Sequence, residues 1–435
     1  MGSSSTAIPN SAPDVKRGWT LAQRIGFRFL FCYFALYLVL CWLIERLGMA
    51  GELGIAGANF ILRVYTELWA PVVTWTGSQL LHVSGPIAFE NGGNSDGIYS
   101  YLQLLCFGLL ACVAALAWTF ADRRRTDYRR LHVWLMVCLR YALAFSMLGY
   151  GAVKVVDIQF HRNLRHLSTS YGNFGPYDVL FGFMSYSRPY TFFAGAAEIL
   201  AGALLVFRRT ATLGGLVALV VLSNVVMLNF CYNWPEKLDS THLLATAAIL
   251  IVPDLSRLAN LLVWNRPTLA ADLGHPAAGA AKTARLAAKS LVLVSMIAII
   301  SATTVAMRRE WFARPPLYGI YQVEEFSRNG QPALPLATDS TQWKTMVVQF
   351  PESISLKYMD DRWQHHRAAY DPKKGELTLF TGKVSNVLSC QQPDPEHLVL
   401  QGPFLNEDLA VRFRRLDEAQ FPLMKSRFRW INGFP

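Results

Sequence analysis

The chain has 435 residues, of which 52% are hydrophobic, 13% aromatic and 16% charged, whereas soluble domains carry about 25% charged residues. Its formal net charge is +11 at neutral pH, but the basic residues stand at the ends of apolar segments, where they set membrane topology. The composition therefore argues against a nucleic-acid-binding protein and favours an integral membrane protein.

Long apolar runs predict seven membrane-spanning helices, most of them near the ~20 residues that cross a hydrocarbon core. They are Phe29–Ile44, Tyr99–Phe120, Leu131–Val156, Tyr190–Phe207, Ala211–Tyr232, a shorter run at Ser240–Val252, and Leu291–Met307. The aromatic stretch Ala58–Leu81 contains Arg63, Glu67 and Pro71. It is predicted to lie at the membrane interface, with a broken span as the alternative.

Lys and Arg residues in short loops indicate the orientation, because cytoplasmic loops carry an excess of them. Basic groups precede the first predicted span and follow the second, fourth and sixth, so all four groups fall on one side. We therefore predict a cytoplasmic N-terminus and an extracytoplasmic C-terminal domain. Arg308, Arg309 and Arg314 then lie on the outer side, against the general trend.

After Pro316 the apolar runs give way to alternating hydrophobic and polar residues, which is typical of half-buried strands. Strands are predicted over Leu317–Phe326, Trp343–Phe350, Ser353–Met359, Glu376–Phe380, His397–Leu400 and Leu409–Arg414. Turn-forming residues at Asn329–Gly330 and around Pro372 separate neighbouring strands. About six to eight short antiparallel strands predict a small barrel or sandwich.

The sequence thus divides into five predicted parts. They are a disordered cytoplasmic tail (1–24), N-terminal spans with interfacial helices (25–130), a membrane core (131–254), a linker with the last span (255–310), and an extracytoplasmic β-domain (311–435). Cys231 and Cys390 are the pair that an outer disulfide would join, but unpaired thiols are favoured. The sequence has no Cys/His zinc spacing and no phosphate-binding, dinucleotide-binding or nucleophile motif, so no metal site is predicted.

Ionisable residues inside the spans are the first candidates for a functional site, because charge is costly in hydrocarbon and usually faces a bundle interior. Arg140, Met147, Gly151 and Lys154 are spaced by seven, four and three, which places them on one stripe of the third span. Glu198 lies among small residues that let another helix approach closely. The pattern fits a structural ion pair, a proton-handling or anion-binding site, and a Lys154 that reaches the lipid interface.

The segment from Asn224 to His242 is the second candidate, because it gathers polar and aromatic residues around Pro235 between two spans. Such a segment suits the mouth of a cavity, although a polar turn with a helix cap explains it equally. His242 is the side chain expected to titrate nearest neutrality. The candidate catalytic residues are Lys154, Glu198 and His242. The candidate cofactor-binding residues are Arg140, Tyr150, Asn224, Asn229, Tyr232 and Lys237.

A basic cluster stands in the polar loop that follows the third span. It consists of His161, Arg162, Arg165 and His166. The cluster is predicted to be a solvated face, with an anion-binding site as the alternative.

Part of the membrane core resembles the DoxX family of membrane proteins. The resemblance rests on GYGAVKVVDIQF (149–160), a span carrying a glutamate among small residues, the RRT turn after it, and LNFCYNWPEK (228–237). The family's characteristic positions are matched by Lys154, Glu198, Asn229, Tyr232, Pro235 and Lys237. Asn233 and Trp234 replace the Asp-Val that usually precedes the proline. The resemblance implies a compact four-helix unit over Leu131–Val252.

The DoxX resemblance also implies an association with redox reactions, because the family is named for a subunit of a quinone-linked sulfur-oxidising system. Our leading hypothesis is a bacterial inner-membrane protein that binds a quinone or acts beside a membrane or extracytoplasmic redox protein. In a second hypothesis the β-domain, similar to lipocalins at Gly319-Ile-Tyr321, binds a ligand and the spans only anchor it. In a third, the membrane part resembles that of vitamin K-dependent carboxylases and uses Lys154 as a base.

Overall fold

The computed structural model describes residues 18–44, 58–87, 96–268, 279–382 and 384–425. The predicted tail lies outside these ranges up to residue 17. The described residues pack into two compact units that alternate along the chain. The first unit draws on Met1–Phe145, Leu204–Leu222 and Pro235–Ala271, and the second on Ser146–Ala203, Ser223–Trp234 and Asp272–Pro435.

The part before the β-domain is helical. Its helices are α1 Leu21–Tyr37 with a π-helical extension Leu38–Trp42, α2 Ala58–Trp75 with a π-helical extension Thr76–Leu80, α3 Ile98–Ala121, α4 Arg129–Val155, α5 Leu164–Leu167, α6 Pro176–Tyr186, α7 Arg188–Val206, α8 Ala211–Cys231, α9 Lys237–Ile251, α10 Leu255–Leu262 and α11 Gly279–Trp311.

Within the described ranges, seven helical segments are long and apolar enough to cross a membrane. They are Leu21–Trp42, Ile98–Ala121, Arg129–Val155, Arg188–Val206, Ala211–Cys231, Lys237–Leu262 and Lys282–Arg309. Each overlaps one predicted span, so the prediction of a helical integral membrane protein is confirmed. The sixth segment exceeds its predicted length because the helix begins at Lys237 and continues through a turn into α10.

Helix α2 is not among the seven candidate spans. It packs on α3, where Val73 is fully buried and the Trp69 ring stacks on Phe107 at a centroid distance of 5.4 Å. Pro71 lies inside the helix. An interfacial position for this segment stays a prediction.

After α11 the chain forms a closed antiparallel β-barrel. Its strands are β1 Gly319–Arg328, β2 Gln331–Pro332, β3 Trp343–Phe350, β4 Ser353–Tyr358, β5 Trp363–Asp371, β6 Glu376–Thr381, β7 Val384–Gln391, β8 His397–Phe404 and β9 Glu407–Leu416. Strands β3 to β9 pair in sequence order, and β1 pairs with both β3 and β9. Because β2 only extends β1, eight of the nine strands close the barrel, and a barrel replaces the predicted choice of barrel or sandwich.

Side chains fill the interior of the barrel. Met346, Leu379 and Phe413 are completely buried, and the Trp343 ring meets Phe404 edge-on at 5.1 Å. A cavity that opens beside Pro315 and Tyr370 has a volume of about 40 Å³, space for a few water molecules only. The barrel is therefore a packed domain, as small barrels usually are.

Strands β5 and β7 were not predicted. The inward positions of β5 include His366 and Ala368, and those of β7 include Asn386. A polar or small residue at an inward position removes the hydrophobic alternation on which the prediction depends. The pairing of neighbouring strands, and not the local pattern, brings these two segments into the barrel.

Candidate functional site

The structure brings together the two charged side chains that the sequence analysis placed inside the spans. The Lys154 ammonium on α4 donates to Oε2 of Glu198 on α7 at 2.9 Å, and the two side chains are 9% and 4% exposed. The Tyr150 ring centroid lies 5.7 Å from the Lys154 Nζ. Each charge is thus neutralised by the other in surroundings where an isolated charge is costly.

Two glycines let the helices approach closely enough for this pair to form. A Cβ atom at Gly151 would stand 2.6 Å from the Gly195 carbonyl oxygen, and one at Gly195 would stand 2.7 Å from the Gly151 carbonyl oxygen. Small residues at such a crossing allow backbones to touch. Lys154 and Glu198 each lie three residues beyond their glycine, so the crossing itself positions the ion pair.

Four other predicted candidates lie on α4, on α8 and directly after α8. The Arg140 guanidinium packs on the Tyr141 ring at 5.0 Å, and its Nε has no hydrogen-bond partner there. Asn224 is exposed on α8. Tyr232 packs against an aromatic cluster of the loop that follows α4. Asn229 is 5% exposed.

His242 belongs to a separate polar cluster formed by α1 and α9. Its Nδ1 lies 2.8 Å from the Leu238 carbonyl oxygen, and its Nε2 lies 2.7 Å from the Tyr33 hydroxyl. A carbonyl oxygen can only accept a hydrogen bond. Nδ1 therefore donates to this carbonyl, and in the neutral form of the ring Nε2 is the nitrogen that accepts from the Tyr33 hydroxyl.

A second hydrogen bond lies beside the first. The Tyr37 hydroxyl donates to Oδ1 of Asp239 at 3.2 Å, and the Tyr37 ring stacks on His242 with centroids 4.6 Å apart. Tyr33 and Tyr37 are four residues apart on α1, which places them on one helix face. The sequence analysis missed both tyrosines and Asp239, because no local signal indicates which helix packs against α9.

Lys237, a predicted cofactor-binding residue, forms an ion pair with Asp96. The Asp96 carboxylate accepts hydrogen bonds from the Lys237 backbone N–H at 2.9 Å, the Leu238 N–H at 3.0 Å and the Lys237 Nζ at 3.2 Å. A carboxylate that satisfies the free N–H groups of a first helical turn stabilises the helix. Asp96 thereby fixes the start of the helix that carries Asp239 and His242.

The basic loop after α4 docks on the barrel, so the prediction of a solvated face was wrong. Asp178 accepts from Arg165 Nη2 at 2.9 Å and from His166 Nε2 at 3.0 Å. Arg165 Nη1 donates to Nε2 of His365 on β5 at 3.1 Å. Burial lowers the pKa of His161, His166 and His365 below the ordinary histidine value. The three imidazoles are therefore neutral at pH 7.

Apolar contacts complete the docking. Leu164 of α5 is 1% exposed and packs with Ile320 and Val347 on the outer wall of the barrel. The Trp363 Nε1 donates to the Thr169 hydroxyl at 3.0 Å. The loop and the barrel consequently lie on the same side of any membrane that the helices cross.

Among the described residues there is no group of three or more His, Cys, Asp or Glu side chains that could hold a metal ion. Cys390 is buried in the barrel and Cys231 is exposed on α8. Both thiols are free. The charged and polar clusters described above are therefore the candidates for function.

Comparison with known proteins identifies a relative of this chain. YwoB of Bacillus subtilis (strain 168), an uncharacterized protein, is 34% identical over 115 residues, which cover 26% of this chain and 73% of YwoB. No family model and no solved structure matches the chain. The identity and the coverage of YwoB show that this chain belongs to the same family as YwoB.

Proposed function

We propose that the protein is a quinone-associated redox module of the membrane, with the quinone headgroup bound at Tyr33 and His242. The observation that carries this proposal is the hydrogen bond between the Tyr33 hydroxyl and Nε2 of His242, whose Nδ1 is held by the Leu238 carbonyl. Quinone oxygens exchange protons as the ring is oxidised and reduced. A half-buried phenol paired with an imidazole is suited to that exchange.

The cluster supplies two proton acceptors. Oxidation of a quinol to a quinone releases two protons and two electrons. Nε2 of His242 would take one proton through the Tyr33 hydroxyl, and the Asp239 carboxylate would take the other through the Tyr37 hydroxyl that donates to it. The electrons pass to a membrane or extracytoplasmic redox protein, and reduction of a quinone reverses each transfer.

The resemblance to the DoxX family supports the same proposal, because that family takes its name from a quinone-linked system. Kinship with YwoB adds no activity, since that protein is uncharacterized.

The two rival hypotheses are less well supported. A carboxylase-like mechanism needs Lys154 as a base, but its ammonium donates to Glu198 at 2.9 Å and has no lone pair to accept a proton. A ligand-binding barrel needs a pocket of roughly 300–1,000 Å³. The barrel interior is filled by side chains, and the cavity beside Pro315 measures about 40 Å³.

We also propose that the barrel is extracytoplasmic and the N-terminus cytoplasmic, in a bacterial-type inner membrane. The proposal rests on the Lys and Arg residues of the short loops. Labelling of intact spheroplasts with a membrane-impermeant maleimide tests it. With the seven native cysteines replaced by serine, Lys374→Cys on the barrel is expected to react, and Arg124→Cys in the loop after α3 is expected to react only after lysis. The reverse pattern would contradict the orientation.

Binding of a short-chain quinone tests the proposed site. The full-length protein in nanodiscs is titrated with the quinone while its tryptophan fluorescence is recorded. Tyr33→Phe removes one hydroxyl, and loss of a buried hydrogen bond of about 1 kcal/mol predicts a Kd raised about fivefold to tenfold. Tyr101→Phe is the matched control, because Tyr101 is an exposed phenol on α3.

The expected ranking is wild type and Tyr101→Phe alike, with Tyr33→Phe and His242→Ala weaker. Equal affinities in all four proteins, or no saturable binding to the wild type, would overturn the proposal. Unfolding temperatures of the four proteins show whether each variant is folded.

A further inference from the structure

Arg308 and Arg309 lie at the end of α11 that is predicted to face the outside. The excess of Lys and Arg in cytoplasmic loops does not explain basic residues on that side. Val305, Arg308, Arg309 and Phe312 are spaced i, i+3, i+4 and i+7, which places them on one face of the helix. Together with Ala313 they line an open groove of about 410 Å³. The face therefore combines an apolar lower part, two guanidinium groups and an aromatic ring.

The two guanidinium groups in this groove are available to an anion. Arg308 and Arg309 are exposed, and the structure records no ion pair for either among the described residues. Arg308 Cζ lies 5.9 Å from the Phe312 ring centroid. Guanidinium groups bind phosphate and carboxylate through paired N–H donors and are weakly hydrated, so this face can accept a phosphate group.

The position along the helix indicates the depth of the groove in a bilayer. The candidate membrane-spanning segment ends at Arg309, and Arg at the end of a span is expected to lie at the level of the lipid headgroups. Val305 lies one turn deeper, beside the acyl chains. Trp311 and Phe312 are 42% and 44% exposed, and exposed aromatic side chains are typical of the membrane–water interface.

We propose that this groove binds the phosphate headgroup of an anionic phospholipid in the leaflet that faces the barrel. Arg308 and Arg309 contact the phosphate, Phe312 covers the headgroup, and an acyl chain runs along Val305. This site explains why basic residues lie on the side of the membrane where the rule for loop charges does not predict them. The proposal does not depend on the proposed quinone site.

Native mass spectrometry of the full-length protein tests the proposal. The protein is released from nanodiscs that contain equal amounts of phosphatidylglycerol and phosphatidylcholine, and the lipids that remain bound are counted. Arg308→Gln with Arg309→Gln is expected to reduce retained phosphatidylglycerol about thirtyfold, from about 1 kcal/mol for each arginine. Replacing both arginines with lysine is expected to restore part of it. Both positions are exposed, and removing outer positive charge does not oppose the predicted orientation.

The control is Arg124→Gln with Arg130→Gln, which makes the same change in charge at two exposed positions, one in the α3–α4 loop and one in the first turn of α4. The proposal predicts a small effect there. Equal losses in the two double variants would show general charge attraction and overturn it. Retention of phosphatidylcholine as strong as that of phosphatidylglycerol would overturn it as well, and so would displacement of the lipid by millimolar inorganic phosphate.

Discussion

Gly151→Ala adds one methyl group where α4 and α7 touch. The new Cβ would lie 2.6 Å from the Gly195 carbonyl oxygen, 2.7 Å from Ile199 Cγ1 and 3.0 Å from the Ile199 backbone nitrogen. Two of these three atoms belong to the backbone and cannot rotate away. Since an ordinary contact begins at 3.4 Å, the helices must separate by about 3.4 − 2.6 = 0.8 Å at this point.

Two effects set the magnitude. Overpacking a tight contact costs about 1–3 kcal/mol. Separation of the helices also lengthens the 2.9 Å contact between Lys154 and Glu198, and full loss of one partner of a buried pair costs about 3–5 kcal/mol. Because the pair is stretched and not removed, we expect the free energy of unfolding to fall by about 2–4 kcal/mol.

Reversible unfolding in mixed micelles measures this change, with Gly149→Ala as the matched control. Gly149 lies two residues earlier on the same helix, and a Cβ atom there would meet nothing within 4 Å. Alanine is the better helix former by about 1 kcal/mol, so Gly149→Ala is expected to be neutral or stabilising. If both alanine variants unfold alike, the close crossing and its role in positioning the ion pair are wrong.

Three further predictions follow from the contacts. Lys154→Met or Glu198→Leu alone is expected to destabilise by about 3–5 kcal/mol, and the double variant by much less; additive losses in unfolding measurements would contradict the pairing. Asp96→Ala is expected to cost about 1–2 kcal/mol and to expose the start of α9 to amide hydrogen exchange; unchanged exchange there would count against the cap. Burial lowers the pKa of His166 and His365 from 6.5. As the pH falls, these histidines are therefore protonated in the unfolded state before they are protonated in the folded state. Docking of the loop after α4 on the barrel is therefore expected to hold above pH 6.5 and to weaken below it. Limited proteolysis of this loop measures the docking, and a cleavage rate that does not change with pH would refute the prediction.

Much of the fold could be predicted from the sequence, because apolar length and period-2 alternation are local properties. The strand Trp343–Phe350 has the predicted limits, and each predicted span overlaps a helix. Strand β7 was not predicted, because Asn386 and Cys390 occupy inward positions and interrupt the hydrophobic alternation. Closure of the barrel depends on pairing between β1 and β9, which lie far apart in the sequence.

The candidate site was partly predictable for the same reason. The pairing of Lys154 with Glu198 follows from charge and from neighbouring glycines, both visible in the sequence. The partner of His242 is Tyr33, which lies 209 residues away, and an unremarkable tyrosine in an apolar span carries no signal of its own. Arg165 and His365 are 200 residues apart in the sequence, so their contact could not be predicted either.

Photolabelling tests the central claim, that a quinone headgroup binds at the Tyr33–His242 cluster, most directly. An azidoquinone is cross-linked to the full-length protein in nanodiscs, with and without excess unlabelled quinone, and the labelled peptides are sequenced. We expect displaceable label on peptides from Leu21–Tyr37 or Lys237–Ile251, reduced in Tyr33→Phe and unchanged in Tyr101→Phe. Label confined to the barrel, or label that excess quinone does not displace, would contradict the account.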